Sequence, residues 1–332
     1  MLNHSPDPHA LGRLQVDVVI PMFNAARFIE RALRSVLDQT RPPSSVTVVD
    51  DGSTDASVKT VRSFIAAYSG PIRITLLQQA NAGPNTARNT GIDVGDAGLV
   101  ALLDADDLWV PGKLEAQVRV FEADVAERLV LVYCRAHWID ADDRPCDGPP
   151  LNEGAPLRGD VFDALLPRNR IWGGASAVVL RRKAIKGAGN FDIDLRVAED
   201  FDMWLRLART GHVDLADEEL VAIRDHGSNT SKDGYYMLAG LLDFYAKWFE
   251  HAKTRPDVLH EWGHLIALFA LRSNDRETAL AVVRKKLRPE QRKLLFQRAW
   301  GSLRLYMLLK QLRGHRAANL PWSKSTMPKH DP

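Results

Sequence analysis

An open α/β sheet, mostly parallel and flanked by helices, with a helical extension at its C-terminal end, is the fold class this 332-residue sequence predicts. Three observations predict it. Short runs rich in β-branched residues alternate with segments whose apolar residues recur at helical spacing. The links between them are short, so successive strands run parallel across helical crossovers. From about Tyr235 the strand signal stops, and helical periodicity alone continues to about Arg313.

Residues 1–14 read as a flexible leader. Val16-Asp17-Val18-Val19-Ile20 is the first strand, ended by Pro21, with Asn24 placed to cap the first helix. That helix turns Phe28, Ile29, Ala32, Leu33, Val36 and Leu37 to one buried face and stops at Pro42-Pro43. Val46-Thr47-Val48-Val49 is the second strand. Asp50–Asp55 then supplies the turn and capping residues of a helix with Val58, Val61, Phe64, Ile65 and Tyr68 inward. The pattern predicts a third strand over 72–77, and Pro84 suits the first position of the helix after it. A fourth strand over 99–103 delivers Asp104. Beyond it come a helix over 111–125, strands over 129–134 and 176–180, an Asp/Pro/Gly-rich loop over 140–158, and a helix over 200–208. A boundary near 232 separates a catalytic-type domain, 15–232, from the helical extension, 233–332.

Composition narrows the class. Hydrophobic content of 45% and charged content of 26% suit a soluble globular chain. Cys134 and Cys146 have neither zinc nor redox spacing, which implies a reduced, cytoplasmic setting. No signal-like leader and no apolar run approaching the ~20 residues of a spanning helix is visible. His260 and His264 stand four apart, but the surrounding residues do not make a zinc site. Net charge is +2, yet residues 284–332 carry thirteen Lys/Arg against Glu290 and Asp331. Trp300, Leu303, Tyr306, Met307 and Leu309 interleave with those cations. Such a segment suits an anionic membrane face, although a stripe at helical spacing is more often core or a subunit interface, and the sequence leaves both open. No nucleic acid is expected as a partner.

In an open α/β sheet, ligands bind beyond the carboxyl ends of the strands. Four polar loops fall there: Pro21–Asn24, Asp50–Ser53, Asn81–Arg88 and Asp104–Asp107. Asp104, Asp106 and Asp107 crowd three carboxylates into four residues, a charge density that a hard divalent cation such as Mn²⁺ or Mg²⁺ relieves. The same residues also suit a polar turn, and the triplet alone does not separate the two. Asp50 or Asp51 can accept from a nucleobase or ribose, with Gly52 allowing close approach, or simply belong to a capped turn. Arg88, early in its helix, can pair with phosphate or lie on the surface. Glu199-Asp200 can hold a proton-accepting carboxylate or complement a helix dipole. No G-x-G-x-x-G follows the first strand, against dinucleotide binding, and Pro21-Met22-Phe23-Asn24 stands where a nucleotidyltransferase would carry a Gly-rich phosphate loop. A phosphatase built on Asp104 leaves Asp50–Asp55 and Glu199-Asp200 unexplained.

Together these segments are more specific than any one. Val19-Ile20-Pro21-Met22-Phe23-Asn24, Val49–Asp55, Asn81-Ala82-Gly83 with Ala87–Gly91, Leu103–Trp109 and Ala198–Leu207 resemble, in order and spacing, the family 2 glycosyltransferases. The likeness runs from about Asp17 to Thr230. It implies a GT-A-type, Rossmann-like sheet and an inverting transfer from a nucleoside-diphosphate sugar, uridine-linked by family habit, to an acceptor hydroxyl in surface polysaccharide or glycoconjugate synthesis. By the same resemblance Asp200 is the catalytic base, supported by Glu199, which also touches the acceptor. Pro21, Asn24, Asp50, Asp51, Asn81, Gly83, Arg88, Asp104 and Asp106 face the donor. Gly173 and Gly174 line the acceptor, itself a sugar or lipid-linked. Asp106, with Asp104, Asp107 and His226, holds the cation, although His226 also fits a contact to phosphate or acceptor, or a solvated loop. A scaffold of the same fold that binds carbohydrate without turnover is the non-enzymatic alternative.

Overall fold

The computed structural model describes residues 14–149, 151, 154–171, 173–226, 233–272 and 276–295. The chain divides into two compact units, 1–229 and 230–332.

In the first unit the strands are β1 (Val16–Met22), β2 (Ser45–Asp50), β3 (Arg73–Gln78), β4 (Leu99–Leu102), β5 (Leu108–Trp109), β6 (Leu129–Ile139), β7 (Val178–Arg181) and β8 (His212–Arg224). They form one sheet in the order β3-β2-β1-β4-β7-β6-β8-β5. The N-terminal half is parallel throughout: β1 pairs with β2 and β4, and β2 with β3. Beyond β4 the directions mix. β7 runs antiparallel to β4 and β6, β6 and β8 are parallel, and β5 is antiparallel to β8. The fold is therefore a GT-A-like α/β sheet, with a helical unit after it.

The helices of this unit are α1 (Ile29–Leu37), α2 (Ser57–Ala67), α3 (Pro84–Val94), α4 (Lys113–Ala123), α5 (Phe162–Leu165), α6 (Arg182–Gly187) and α7 (Glu199–Ala208). The core fills the space between them and the sheet: Val18, Ile20, Val46, Val48 and Leu99 from the strands meet Ile29, Leu33 and Val36 of α1, and Leu114, Val118 and Phe121 of α4. At the opposite rim from the acidic loop, Arg182 is buried with its Nη2 donating to Asp17 Oδ2 at 2.6 Å and its Nε to the Ala97 carbonyl at 2.6 Å. Ser45 Oγ and the Ala97 N–H complete the shell of Asp17.

Several expectations change. β1 continues through Pro21 to Met22. Alternation turns Pro21 toward the β4 side, where pairing has ended with Val19 opposite Leu102, so its missing N–H interrupts no ladder. Asn24 does not cap α1, whose N-cap is Phe28. Residues 174–177 form a 3-10 turn, and β7 starts only at Val178. β8, which carries no clear alternation in sequence, is the longest strand.

The second unit contains α8 (Gly234–Ala252), α9 (Pro256–Arg272) and α10 (Arg276–Lys286). Asp233 Oδ1 caps α8 by accepting from the N–H groups of Tyr235 and Tyr236. Phe244, Tyr245, Trp248 and Trp262 make its core, with Tyr245 stacked on Trp262 at 4.6 Å. His260 and His264 are both exposed on α9. No helix among the described residues is long and apolar enough to cross a membrane. The interleaved aromatic and basic stripe expected over 300–313, like the leader over 1–13, lies outside the described residues.

Candidate active site

The carboxyl ends of β1 to β4 lie along one rim because the strands are parallel, and the polar loops gather there. Asn24, with φ of 49°, stitches two of them together. Its side-chain oxygen accepts from the N–H groups of Thr54 and Asp55 at 2.8 and 3.3 Å, while its own N–H donates to Ser53 Oγ at 2.9 Å. Asp51 organises the next loop: Oδ1 accepts from Gln79 Nε2 and the Ala82 N–H, and Oδ2 from the Gly83 N–H. Its carboxylate is buried in its own fold, so Asp51 shapes the rim from below. Asp50 is also buried, with Oδ1 accepting from the Ser53 N–H at 3.2 Å. Gly52 has φ of +77°, and a Cβ there would come within 2.9 Å of the Asn81 nitrogen. Glycine therefore lets the second and third loops touch. Gly83, at φ of +92°, precedes Pro84 at the start of α3.

Arg88 lies one turn into α3 and is not a surface group; it is 5% exposed. Its Nη2 donates to Asp104 Oδ1 at 3.0 Å, and its Nη1 to Glu199 Oε1 at 3.1 Å and to Asn85 Oδ1 at 3.2 Å. Burial opposes its charge, but the carboxylates of Asp104 and Glu199 outweigh that and raise its pKa. The guanidinium thus joins the end of β4 to the start of α7.

Asp200 stands beside this bridge. Its Oδ1 accepts from the Phe201 N–H at 2.6 Å, and Asn169 Nδ2 approaches Oδ2 at 3.5 Å. A Cβ on Gly174 would sit 3.7 Å from that Oδ2. Burial, then the neighbouring Glu199 charge, pushes the Asp200 pKa up to about 7, against the opposing pull of the Phe201 N–H and Arg88. The preceding residue, Ala198, is left-handed at φ of 58°, an uncommon conformation for alanine that turns the chain sharply into α7. Gly173 is left-handed too, and a Cβ on it would press within 2.8 Å of Ala177.

The three aspartates diverge. Asp104 and Asp106 keep side-chain exposures of 35% and 33%. Asp107 instead points inward at 5% exposure, where Oδ2 accepts from Ser176 Oγ at 2.6 Å and Oδ1 from the Arg224 N–H at 2.9 Å. Both oxygens of Asp107 are engaged within the fold, whereas Asp104 and Asp106 keep partly exposed ones. Burial, with Asp106 and Asp104 alongside, raises its pKa well above the usual range. His226 Nε2 lies 2.8 Å from Asp106 Oδ2, and its ring stacks on Phe28 at 5.2 Å. Arg224 Nε donates to the Asp106 carbonyl at 2.6 Å, fixing the main chain of the same turn.

Among the described residues, no group of three or more His, Cys, Asp or Glu side chains is arranged to hold a metal ion. The partly exposed oxygens of Asp104 and Asp106, with an imidazole nitrogen beside them, are nonetheless a donor set that suits Mn²⁺ or Mg²⁺ completed by water and phosphate oxygens. Sequence reasoning did not single out Ser176 or Asn169, and it gave Phe28 to the core face of α1 rather than to a contact with His226. Only Ser176 left a trace, as a hydroxyl within the apolar run from Ala175 to Leu180.

Comparison with known proteins gives a consistent result. A family model described as glycosyl transferase family 2 matches residues 17–145. An uncharacterized glycosyltransferase of Nostoc sp. is 31% identical over 65% of this chain and 66% of its own length. TuaG of Bacillus subtilis, which bears the name of a teichuronic acid biosynthesis glycosyltransferase, is 30% identical over 62% of this chain and 77% of its own. The chain spans only 30% of a longer glycosyltransferase of Rickettsia bellii. Among solved structures, the mannosyltransferase PcManGT of Pyrobaculum calidifontis, in complex with GDP-Man and Mn²⁺, has a TM-score of 0.57 at 19% identity, over 94% of this chain and 89% of its own. S. aureus TarS 1–349 in complex with UDP-GlcNAc has a TM-score of 0.56 at 17% identity, over 89% and 92%. At such identities the likeness is one of fold.

Proposed function

The chain belongs to family 2 of the glycosyltransferases, and from that premise we propose that it transfers a sugar from a nucleoside-diphosphate donor to an acceptor hydroxyl with inversion at the anomeric carbon. The observation that carries this reading is the Arg88 bridge. It joins the partly exposed acidic end of β4 to the Glu199-Asp200 pair at the head of α7, so one rim would carry both a leaving-group side and a proton-accepting side.

Asp200 is the base. It takes the acceptor's proton as the hydroxyl oxygen attacks the anomeric carbon, and a pKa of about 7 matches that task near neutrality. Glu199 keeps Arg88 turned toward Asp104, and its charge holds the Asp200 proton affinity up. Gly174 leaves room beside Asp200 for the acceptor, and Gly173 lets the same turn pack closely against Ala177 and Ala136. Pro21, Asn24, Asp50 and Asn81 line the base and ribose side, with Asp51 and Gly83 setting the loop they stand on. A Mn²⁺ or Mg²⁺ held by Asp106, with Asp104 and His226, would neutralise charge on the departing diphosphate.

The donor is read as uridine-linked, in keeping with the UDP-GlcNAc named for TarS, although GDP-Man named for PcManGT keeps guanosine in view. TuaG's name supports an acceptor from surface-polysaccharide synthesis, a sugar or a lipid-linked glycan. Residues 284–332, rich in Lys/Arg, would hold the protein at an anionic cytoplasmic membrane face where such acceptors lie.

The test is Asp200→Asn, assayed for transfer against a panel of nucleotide sugars and by calorimetry for nucleotide binding with Mn²⁺. Transfer is expected to fall by roughly 10²–10⁴ while nucleotide affinity stays close to the parent. Retention of transfer would remove Asp200 from the role of base.

A further inference from the structure

Ser176 is wholly buried, yet no role in donor or acceptor binding calls for it. Its Oγ accepts from the Asp104 N–H at 3.0 Å and donates to Asp107 Oδ2 at 2.6 Å. Its main-chain carbonyl accepts from Trp109 Nε1 at 2.9 Å. One residue therefore grips the acidic segment at three points, from its first aspartate to the tryptophan that closes it. Ser176 is also part of the 3-10 turn that begins at Gly174, beside Asp200. The next carbonyl, of Ala177, is held from beneath by Gln117 Nε2 at 2.9 Å, so the turn cannot yield easily when the acidic loop is loaded.

We propose that Ser176 is a positioning residue that locks the acidic end of β4 to the Gly174–Ala177 turn and so sets the distance between the leaving-group side and Asp200. The inference rests on the transferase reading above and goes beyond it by assigning the part that keeps the two sides in register. A geometric lock acts in the reacting complex more than on the binding of either partner. A shift of ~1 Å between reacting groups costs on the order of 10²-fold in rate. The hydroxyl is the active element: it is donor to one carboxylate and acceptor from the main chain of another, which alanine cannot reproduce and threonine can.

The experiment compares wild type, Ser176→Ala and Ser176→Thr in the full-length chain. It measures kcat and donor KM for transfer, nucleotide affinity by calorimetry, and thermal midpoint. Ser176→Ala is expected to lower kcat at least about tenfold, to change donor KM less than about threefold, and to remain folded at the assay temperature. Ser176→Thr should recover most of the lost kcat. Trp109→Phe, which removes the carbonyl bond together with part of the buried indole, should lower kcat in the same direction, and the double variant should fall short of the product of the two effects.

The proposal is overturned if Ser176→Ala transfers within twofold of wild type. It is equally overturned if its loss follows the folded fraction, or if donor KM absorbs the whole effect. A wild-type chain that transfers no sugar from any donor refutes the transferase reading itself, whereas an active wild type with an indifferent Ser176→Ala refutes only the lock.

Discussion

Asp200 is placed where a carboxylate is uncomfortable, and that discomfort is useful. As the base we propose, a carboxylate whose pKa lies near 7 takes a proton readily, yet it is mostly ionised only above that pH. The rate of transfer should therefore climb with pH through about 7 and then level, and Asp200→Asn should abolish that limb in the residual rate. The stability consequence has the opposite sign. The folded-state pKa is raised, so the contribution of this group is fully present at the low pH where an unfolded carboxyl is protonated. It is lost as pH rises from the ordinary carboxylate range through about 7. Above neutrality Asp200→Asn should accordingly melt at a higher temperature than wild type, and near pH 4 the two should converge. A variant that melts lower at pH 8 would mean that the carboxylate is stabilised by partners, against the burial and the Glu199 repulsion around it.

Among the elements, the seam between β1, β4 and α6 gives the sharpest test. Arg182 and Asp17 form a buried pair whose remaining atoms are largely taken up by main-chain groups and Ser45. Removing one partner leaves a lone buried charge, so Arg182→Met should cost about 3–5 kcal/mol in a denaturant titration. Asp17→Asn with Arg182→Met together should recover part of that loss. A single substitution costing less than about 1 kcal/mol would contradict the account.

The same scale explains which parts of the molecule are legible in the sequence. β1 and β2 announce themselves as short β-branched runs buried along their whole length, and α1 because it buries one face at an unbroken helical period. β8 does not, because Asp217-Glu218-Glu219 interrupts its alternation and its register with β6 slips around Cys134 and Arg135. The burial of Asp107 and Arg88 is hidden from the sequence for a different reason. Their partners stand far away in sequence (Ser176 and Arg224 for the first, Glu199 for the second), so no local pattern could announce that they face inward. Asn24 misleads through proximity. It precedes α1 closely enough to cap it, but its side chain reaches across to the turn after β2.

At the scale of the whole molecule, charge is divided unevenly along the chain, with the basic excess confined to the last fifty or so residues. If those residues hold the enzyme at an anionic bilayer, the full chain should co-sediment with vesicles containing phosphatidylglycerol more strongly than a chain ending at Leu295. The difference should shrink as salt rises. Equal partitioning at low salt would free the segment of that role.

The sheet order has one more consequence, for the chain as it is made. β4 can pair with β1 as soon as both exist, but its other neighbour, β7, is encoded roughly 75 residues later. On a ribosome adding about 5–20 residues per second, a buried apolar strand that leads into Asp104 waits several seconds with one edge open. That edge can recruit a strand from another nascent chain. The charged turn that serves the mature site would then also act, during those seconds, as the guard on an unfinished sheet.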